Sequence, residues 1–391
     1  MYDMILLAVI VLPILATHLL GAWLGRDIAT QSQERQARRL YALEWGLNLA
    51  LVVQFAVIWV LLTYWGERLQ LTTVLEPALM RFLRDWLPRS MTAIVIFIVI
   101  VLPMSLYVVL FYLPLLRLRR VIRGKAYGAG WDAALMWRAL LAMVLPMMLL
   151  MVIIVMLPKH WINNSFVLIP LLVAFFSLAF ASGPLLVPII YPTAPLDSVP
   201  LEEEVRALCQ RAGVRIGGIR RINMGSVKSA NAIISGLLPW GRRIFLSDGL
   251  LEALTPEEIL AILAHELGHI RYGHLWWYLG LTLLGMLILG PLAMIASMWL
   301  QWPFEALFLP LFLLYWGVFF RFLSRRLEHQ ADRFAVTLTD RETFACALNK
   351  LTTVNVMPRR WSKWDRFQTH PDLARRLRVL DEDDTHSMSQ G

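Results

Sequence analysis

The chain has 391 residues, of which 58% are hydrophobic and 17% charged, and its mean hydropathy is +0.59; a soluble domain is nearer half apolar and a quarter charged, so a wholly soluble protein is excluded. The net charge of +9 flanks the apolar runs and comes with no base-reading motif, which fits an anionic membrane face and not a nucleic acid. Cys209 and Cys346 stand far apart without a C-x-x-C pair, which excludes a disulfide framework and reads as two free thiols in a reducing compartment.

In chain order, hydrophobic length predicts seven membrane spans: 5–24, 47–64, 92–115, 140–157, 166–191, 275–299 and 304–322. Internal prolines such as Pro13, Pro103, Pro146 and Pro170 are tolerable in packed membrane helices. The first run lacks a basic leader, and its positive residues (Arg26, Arg35, Arg38, Arg39) come after it, so it reads as a span and not a signal peptide. The loop after the third span carries Arg117, Arg119, Arg120, Arg123 and Lys125, whereas the loop after the fourth has only Lys159. Arg68, Arg81, Arg84 and Arg89 in the second loop blur the contrast. The balance predicts the first, third and fifth loops and the C-terminal segment in the cytoplasm, with the N-terminus outside. Tryptophans at span ends, among them Trp65, Trp276, Trp277, Trp299 and Trp302, suit interfacial anchoring.

Residues 192–272 have the composition of a soluble domain. An amphipathic helix is predicted over 201–212, then short strands over 219–223, 232–235 and 243–246, with turns at Met224-Gly225 and at 239–241. A helix follows with a clear start: Thr255 as N-cap, Pro256 at the first position and Glu258 completing a capping box. Gly273 either ends it or lets it run on into the sixth span. After the seventh span the chain is again polar, and its tail from about Asp381 reads as disordered.

The chemistry is concentrated at His265-Glu266-Leu267-Gly268-His269. Residues four apart on a helix share a face, so both imidazoles can address one ion. Glu266 lies beside the first of them, placed to act as general base without being a ligand. Two imidazoles and a carboxylate suit zinc and leave a fourth position open. The candidate third ligand is Glu328, in the helical run Glu328-His329-Gln330-Ala331-Asp332. Asp332, four residues on, could accept a hydrogen bond from a ligand imidazole and fix its tautomer. His329 points elsewhere on that helix.

These residues, together with Asn231-Ala232, Gly236, the run 244–251, Arg333-Phe334-Ala335 and Thr369-His370-Pro371 followed by Arg376, resemble the membrane-bound gluzincin metallopeptidases, which include the CAAX prenyl protease type 1 and HtpX-type proteases. Five spans before the motif and two after it look like the prenyl protease branch. The resemblance implies that the strand holding Ile244, Phe245 and Leu246 is an edge strand for substrate, that Asn231 bonds substrate backbone, that Arg376 serves substrate, and that His370 stands near the metal and stabilises an oxyanion.

The expected fold is an α-helical polytopic membrane protein of about seven spans with a cytosolic α/β zincin-like metallopeptidase lobe. Its parts are 1–192 (five spans), 193–274 (lobe with the motif helix), 275–323 (two-span hairpin), 324–380 (rest of the lobe, with the third ligand) and 381–391 (tail). The expected function is zinc-dependent hydrolysis of peptide bonds in membrane-associated or misfolded membrane polypeptides, with one zinc per chain, in the inner (plasma) membrane. Three other readings compete with it. A protease active inside the bilayer fits poorly, because polar residues 255–258 precede the motif and Arg271 follows it. A membrane sensor protease would share the metal residues. A multi-span transporter or scaffold would place ionisable groups along its spans, where only scattered His18, Gln54 and Glu305 occur.

Overall fold

The computed structural model describes residues 2–65, 89–123, 129–162, 165–224, 229–357 and 373–378. His370 and the tail 381–391 lie outside the described residues. The chain divides into two compact units, one built on Met1–Pro170 and the other on Leu171–Met224 with Lys228–Gly391.

In hydrocarbon a backbone must bond to itself, so long apolar runs fold as helices. The first unit contains α1 (Tyr2–Gly25), α2 (Gln33–Trp65), α3 (Arg89–Arg123) and α4 (Ala129–Met156). A glycine lets α1 and α3 approach closely: a Cβ on Gly21 would fall 2.4 Å from Pro114 Cβ. Within the apolar runs polar side chains tie these helices, Gln54 donating to the Val9 carbonyl at 2.9 Å and Tyr112 donating to Asn48, and beyond the runs Arg119 pairs with Glu44 at 2.6 Å.

Helix α5 (Ser165–Ala181) leads into α6 (Gly183–Ile190). Among the described residues three helices are long and apolar enough to cross a membrane: Val9–Thr30, His274–Leu300 and Ala306–Leu338. The pair Pro170–Ala181 and Gly183–Ile190, bent by 53°, makes a fourth if it counts as one span. The predicted runs 47–64 and 92–115 fall within α2 and α3, and 140–157 overlaps α4 up to its end at Met156.

The second unit holds a four-stranded sheet: β1 (Thr193–Pro195), β2 (Gly218–Ile222), β3 (Ala232–Ser235) and β4 (Arg243–Ser247), in the order β1-β2-β4-β3. β2 and β4 are parallel and the other pairs antiparallel. This corrects the expected edge strand. β4 is bonded on both sides, and Ile244, Phe245 and Leu246 are each 0% exposed, so none of the three can receive an added strand. The physical reason is in their composition, since an unbroken apolar run suits a strand covered on both faces. Among the described residues the edges of the sheet are β1 and β3.

Further helices belong to this unit. They are α7 (Val199–Arg211), α8 (Asp248–Ala253), α9 (Pro256–Arg271), α10 (His274–Leu300), α11 (Phe304–Tyr315), α12 (Arg321–Leu338) and α13 (Arg341–Val354). A π-helical turn, Trp316–Phe320, joins α11 to α12. Val205 and Leu208 of α7, Ile259, Leu263 and Leu267 of α9, and Phe344 and Ala347 of α13 form one core with Ile244 and Leu246. That core fixes the two helices, α9 and α12, that carry the candidate ligands.

Candidate metal centre

The motif helix starts where the sequence says it must. Thr255 Oγ1 accepts from the Glu258 N–H at 3.4 Å, and Glu258 Oε2 accepts from the Thr255 N–H at 2.9 Å. Lys350 Nζ adds an ion pair to Glu258 at 2.7 Å. Burial works against the Glu258 charge, but Lys350 and the Thr255 N–H hold its pKa below the usual carboxylate value. The helix ends at Gly273, whose φ of 67° is left-handed backbone that glycine adopts without a side-chain clash. The chain turns there and restarts as α10 at His274, so α9 does not run on into the sixth span.

A close helix crossing brings the third ligand in. A Cβ on Gly268 would meet Ala331 Cα at 3.0 Å and Phe334 Cδ1 at 3.2 Å, so α9 and α12 touch backbone to backbone at this point. Glu328 lies one turn before Ala331 and therefore reaches the face shared by His265 and His269. The donor atoms form a triangle: His265 Nε2 to His269 Nε2 is 3.2 Å, His269 Nε2 to Glu328 Oε1 is 3.5 Å and His265 Nε2 to Glu328 Oε2 is 3.6 Å. A tetrahedral zinc with ligand bonds of roughly 2.0–2.1 Å needs donor separations of about 3.3 Å. The residues present therefore fit the ion. Glu328 is 2% exposed, a costly position for a carboxylate unless cations or donors share it.

Each imidazole is held from behind. His265 Nδ1 lies 2.8 Å from Asp332 Oδ1, which fixes the proton on Nδ1 and leaves Nε2 as the donor to metal. Asp332 is in turn gripped by both ends of the Arg376 guanidinium, with Nε at 3.0 Å from Oδ2 and Nη2 against Oδ1. Burial works against the Arg376 charge, but the Asp332 carboxylate raises its pKa above the ordinary value. The sequence reading gave Arg376 to substrate, whereas its guanidinium is turned onto Asp332.

His269 is supported by residues the sequence reading missed. Its Nδ1 lies 2.7 Å from His274 Nδ1, and His274 Nε2 lies 3.1 Å from Gln330 Oε1. Read from the neutral amide back, His274 donates from Nε2 and accepts at Nδ1, so His269 keeps its proton on Nδ1 and its Nε2 is free for metal. The available signal was a third histidine within ten residues of the motif, concealed because the break at Gly273 cancels simple helical spacing.

Glu266 sits half-buried on the same helix turn. Asn231, at the head of β3, exchanges bonds with Ser247: its N–H donates to Ser247 Oγ at 2.8 Å and its carbonyl accepts from the Ser247 N–H at 2.9 Å. Ile244, Phe245 and Leu246 are not at the site surface.

Two histidines from one helix and a glutamate from a later helix, beside a small mixed sheet, define the gluzincin class of metallopeptidase folds. Residues 195–384 match the family model described as peptidase family M48. The chain is 28% identical over 200 residues to the uncharacterized metalloprotease YhfN of Bacillus subtilis (strain 168), covering 46% of each chain. It is 27% identical over 222 residues to the CAAX prenyl protease 1 homolog of Arabidopsis thaliana, covering 51% of each. The matches thus span about half the length of these curated relatives. A solved structure, Ste24p of S. mikatae, shares the fold with a TM-score of 0.65 over 97% of this chain and 98% of that one, at 18% identity.

Proposed function

We propose that the chain is a zinc-dependent membrane endopeptidase acting on membrane-associated or misfolded membrane polypeptides, with one zinc held by His265, His269 and Glu328. The observation that carries this reading is the triangle of donor atoms, whose sides of 3.2, 3.5 and 3.6 Å match one tetrahedral ion. Zinc, when bound, polarises a peptide carbonyl and makes water nucleophilic near neutral pH.

The chain's own residues do the rest. Glu266 takes a proton from the attacking water on its carboxylate and passes it to the departing amine nitrogen. Asp332 holds His265 in the tautomer that presents Nε2. The free edge of β3 receives the peptide as an added strand, with Asn231 at its head bonding substrate backbone. His370, beyond the described residues, serves the developing oxyanion. About seven spans anchor the chain in the plasma (inner) membrane, with the peptidase lobe in the cytoplasm.

The test is Glu266→Gln in the full chain, purified in detergent. Zinc content, read by mass spectrometry, stays at one per chain while cleavage of a denatured membrane protein disappears. Undiminished cleavage in that variant would overturn the mechanism.

A further inference from the structure

Beside the metal centre lies a pocket of about 290 Å³, lined by Gly236, Leu237, Arg242, His269, Arg271 and Trp276 among others. It joins three features already described: the end of β3, the C-terminal turn of α9 and the first turn of α10. His269 forms part of its wall, so the pocket adjoins the candidate metal centre.

The charge in this pocket is one-sided. Its lining includes Arg242 and Arg271 and no aspartate or glutamate. Arg242 is half-buried, and its Nε is buried without a hydrogen-bond partner among the described residues. Its Nη2 donates only to a neutral group, the Leu237 carbonyl, at 3.2 Å. Burial pushes the Arg242 pKa below the ordinary value. A desolvated guanidinium without a counter-ion is costly, and it persists most readily where an anion arrives from outside. A guanidinium fork also matches a carboxylate in shape.

We infer that this pocket is an anion subsite in which Arg242 grips a carboxylate of the polypeptide substrate. The inference rests on the peptidase reading. The carboxylate can come from an acidic side chain or from the chain terminus, and both present the same two oxygens. β3 sets the approach: a peptide laid along its free edge at 232–235 reaches Gly236, where φ is 121° and the backbone turns toward Arg242. A Cβ on Gly236 would lie 2.9 Å from Arg242 Cα, so the turn and the arginine are in direct contact.

The test uses full-length protein in detergent and pools of randomised synthetic decapeptides in four forms. The forms have acidic residues present or replaced by their amides, each with a free or an amidated C-terminus. Binding is measured on zinc-loaded Glu266→Gln and cleavage on the wild type. Wild-type kcat/KM and peptide affinity are expected to be about 10- to 100-fold higher for the carboxylate-bearing pool, the worth of a charge-assisted bond. Arg242→Gln abolishes that preference by raising KM, leaves the neutral pool unchanged, and Arg242→Lys restores part of it. Trp276→Glu, at a residue 51% exposed, abolishes the preference by the alternative route of placing an anion at the pocket mouth, should Arg242→Gln fail to fold. Which form carries the preference tells side chain from terminus. Equal handling of all four forms by the wild type overturns the subsite, as does a preference that survives both variants. Competition by phosphatidylglycerol in the micelle at the same site assigns the pocket to lipid and also overturns it. Preference in binding with no cleavage of any pool would leave the subsite standing and sink the peptidase reading instead.

Discussion

The two ligand imidazoles, four residues apart on one helix, are held by opposite means. Behind His265 stands a buried ion pair, Asp332 with Arg376, the carboxylate 1% and the guanidinium 13% exposed. Behind His269 stands a neutral relay, His274 and then Gln330. The charged clamp joins α12 to the C-terminal segment, and the relay joins α10 to α12. A buried pair is costly to break because one partner is left as an uncompensated charge. A neutral hydrogen bond is worth far less and can be replaced. The clamp should therefore couple metal binding to the stability of the lobe, whereas the relay should tune the metal alone.

The sharpest way to break that contrast is Asp332→Asn, which keeps shape and leaves the Arg376 cation buried without its anion. The expected loss is about 3–5 kcal/mol of stability together with a 10- to 100-fold fall in zinc affinity. Thermal unfolding and competition against a chelator measure the two separately. Adding Arg376→Gln should recover much of the stability and none of the affinity. A single variant with wild-type melting would show that the clamp carries no structural load.

Next in size is Gly268→Val. The side chain would press on Ala331 Cα, at 3.0 Å from a Cβ there, and push α12 away from α9. Overpacking of this kind costs about 1–3 kcal/mol, and here it also carries Glu328 away from the histidines. Zinc affinity should fall together with stability, while Gly280→Val, at a site with open space around its Cβ position, should leave both near wild type. Equal effects at the two glycines would separate the helix crossing from the metal site.

How much of this was legible in the sequence depended on whether the signal was local. His265, Glu266 and His269 are fixed by one helical turn, and the cap at Thr255 is fixed by three residues, so both could be read directly. Glu328 lies far along the chain, yet its own four-residue spacing to Asp332 marked it. The sheet order could not be read that way, because strand pairing joins segments that no short pattern links. The run 243–246 looked like an edge strand by resemblance, although its unbroken apolar composition already fitted a central one. The contact of Arg376 with Asp332, and the place of His274 beside His269, escaped for a related reason. Arg376 reaches Asp332 from a distant segment, and His274 is positioned by a left-handed glycine that resets the helix.

The smallest expected effect tests the other half of the comparison. His274→Leu removes the acceptor for His269 Nδ1 and should lower zinc affinity about 10-fold, with little change in melting because no charge is stranded. His274→Asn offers a side-chain oxygen and should restore most of the affinity. Gln330→Ala, one step further back, should cost roughly two- to tenfold, the worth of a single neutral bond. The ordering of these variants is the informative result. If Gln330→Ala weakened zinc more than His274→Leu did, the amide would be acting on the metal by some route other than His274, and the relay would not be what orients His269.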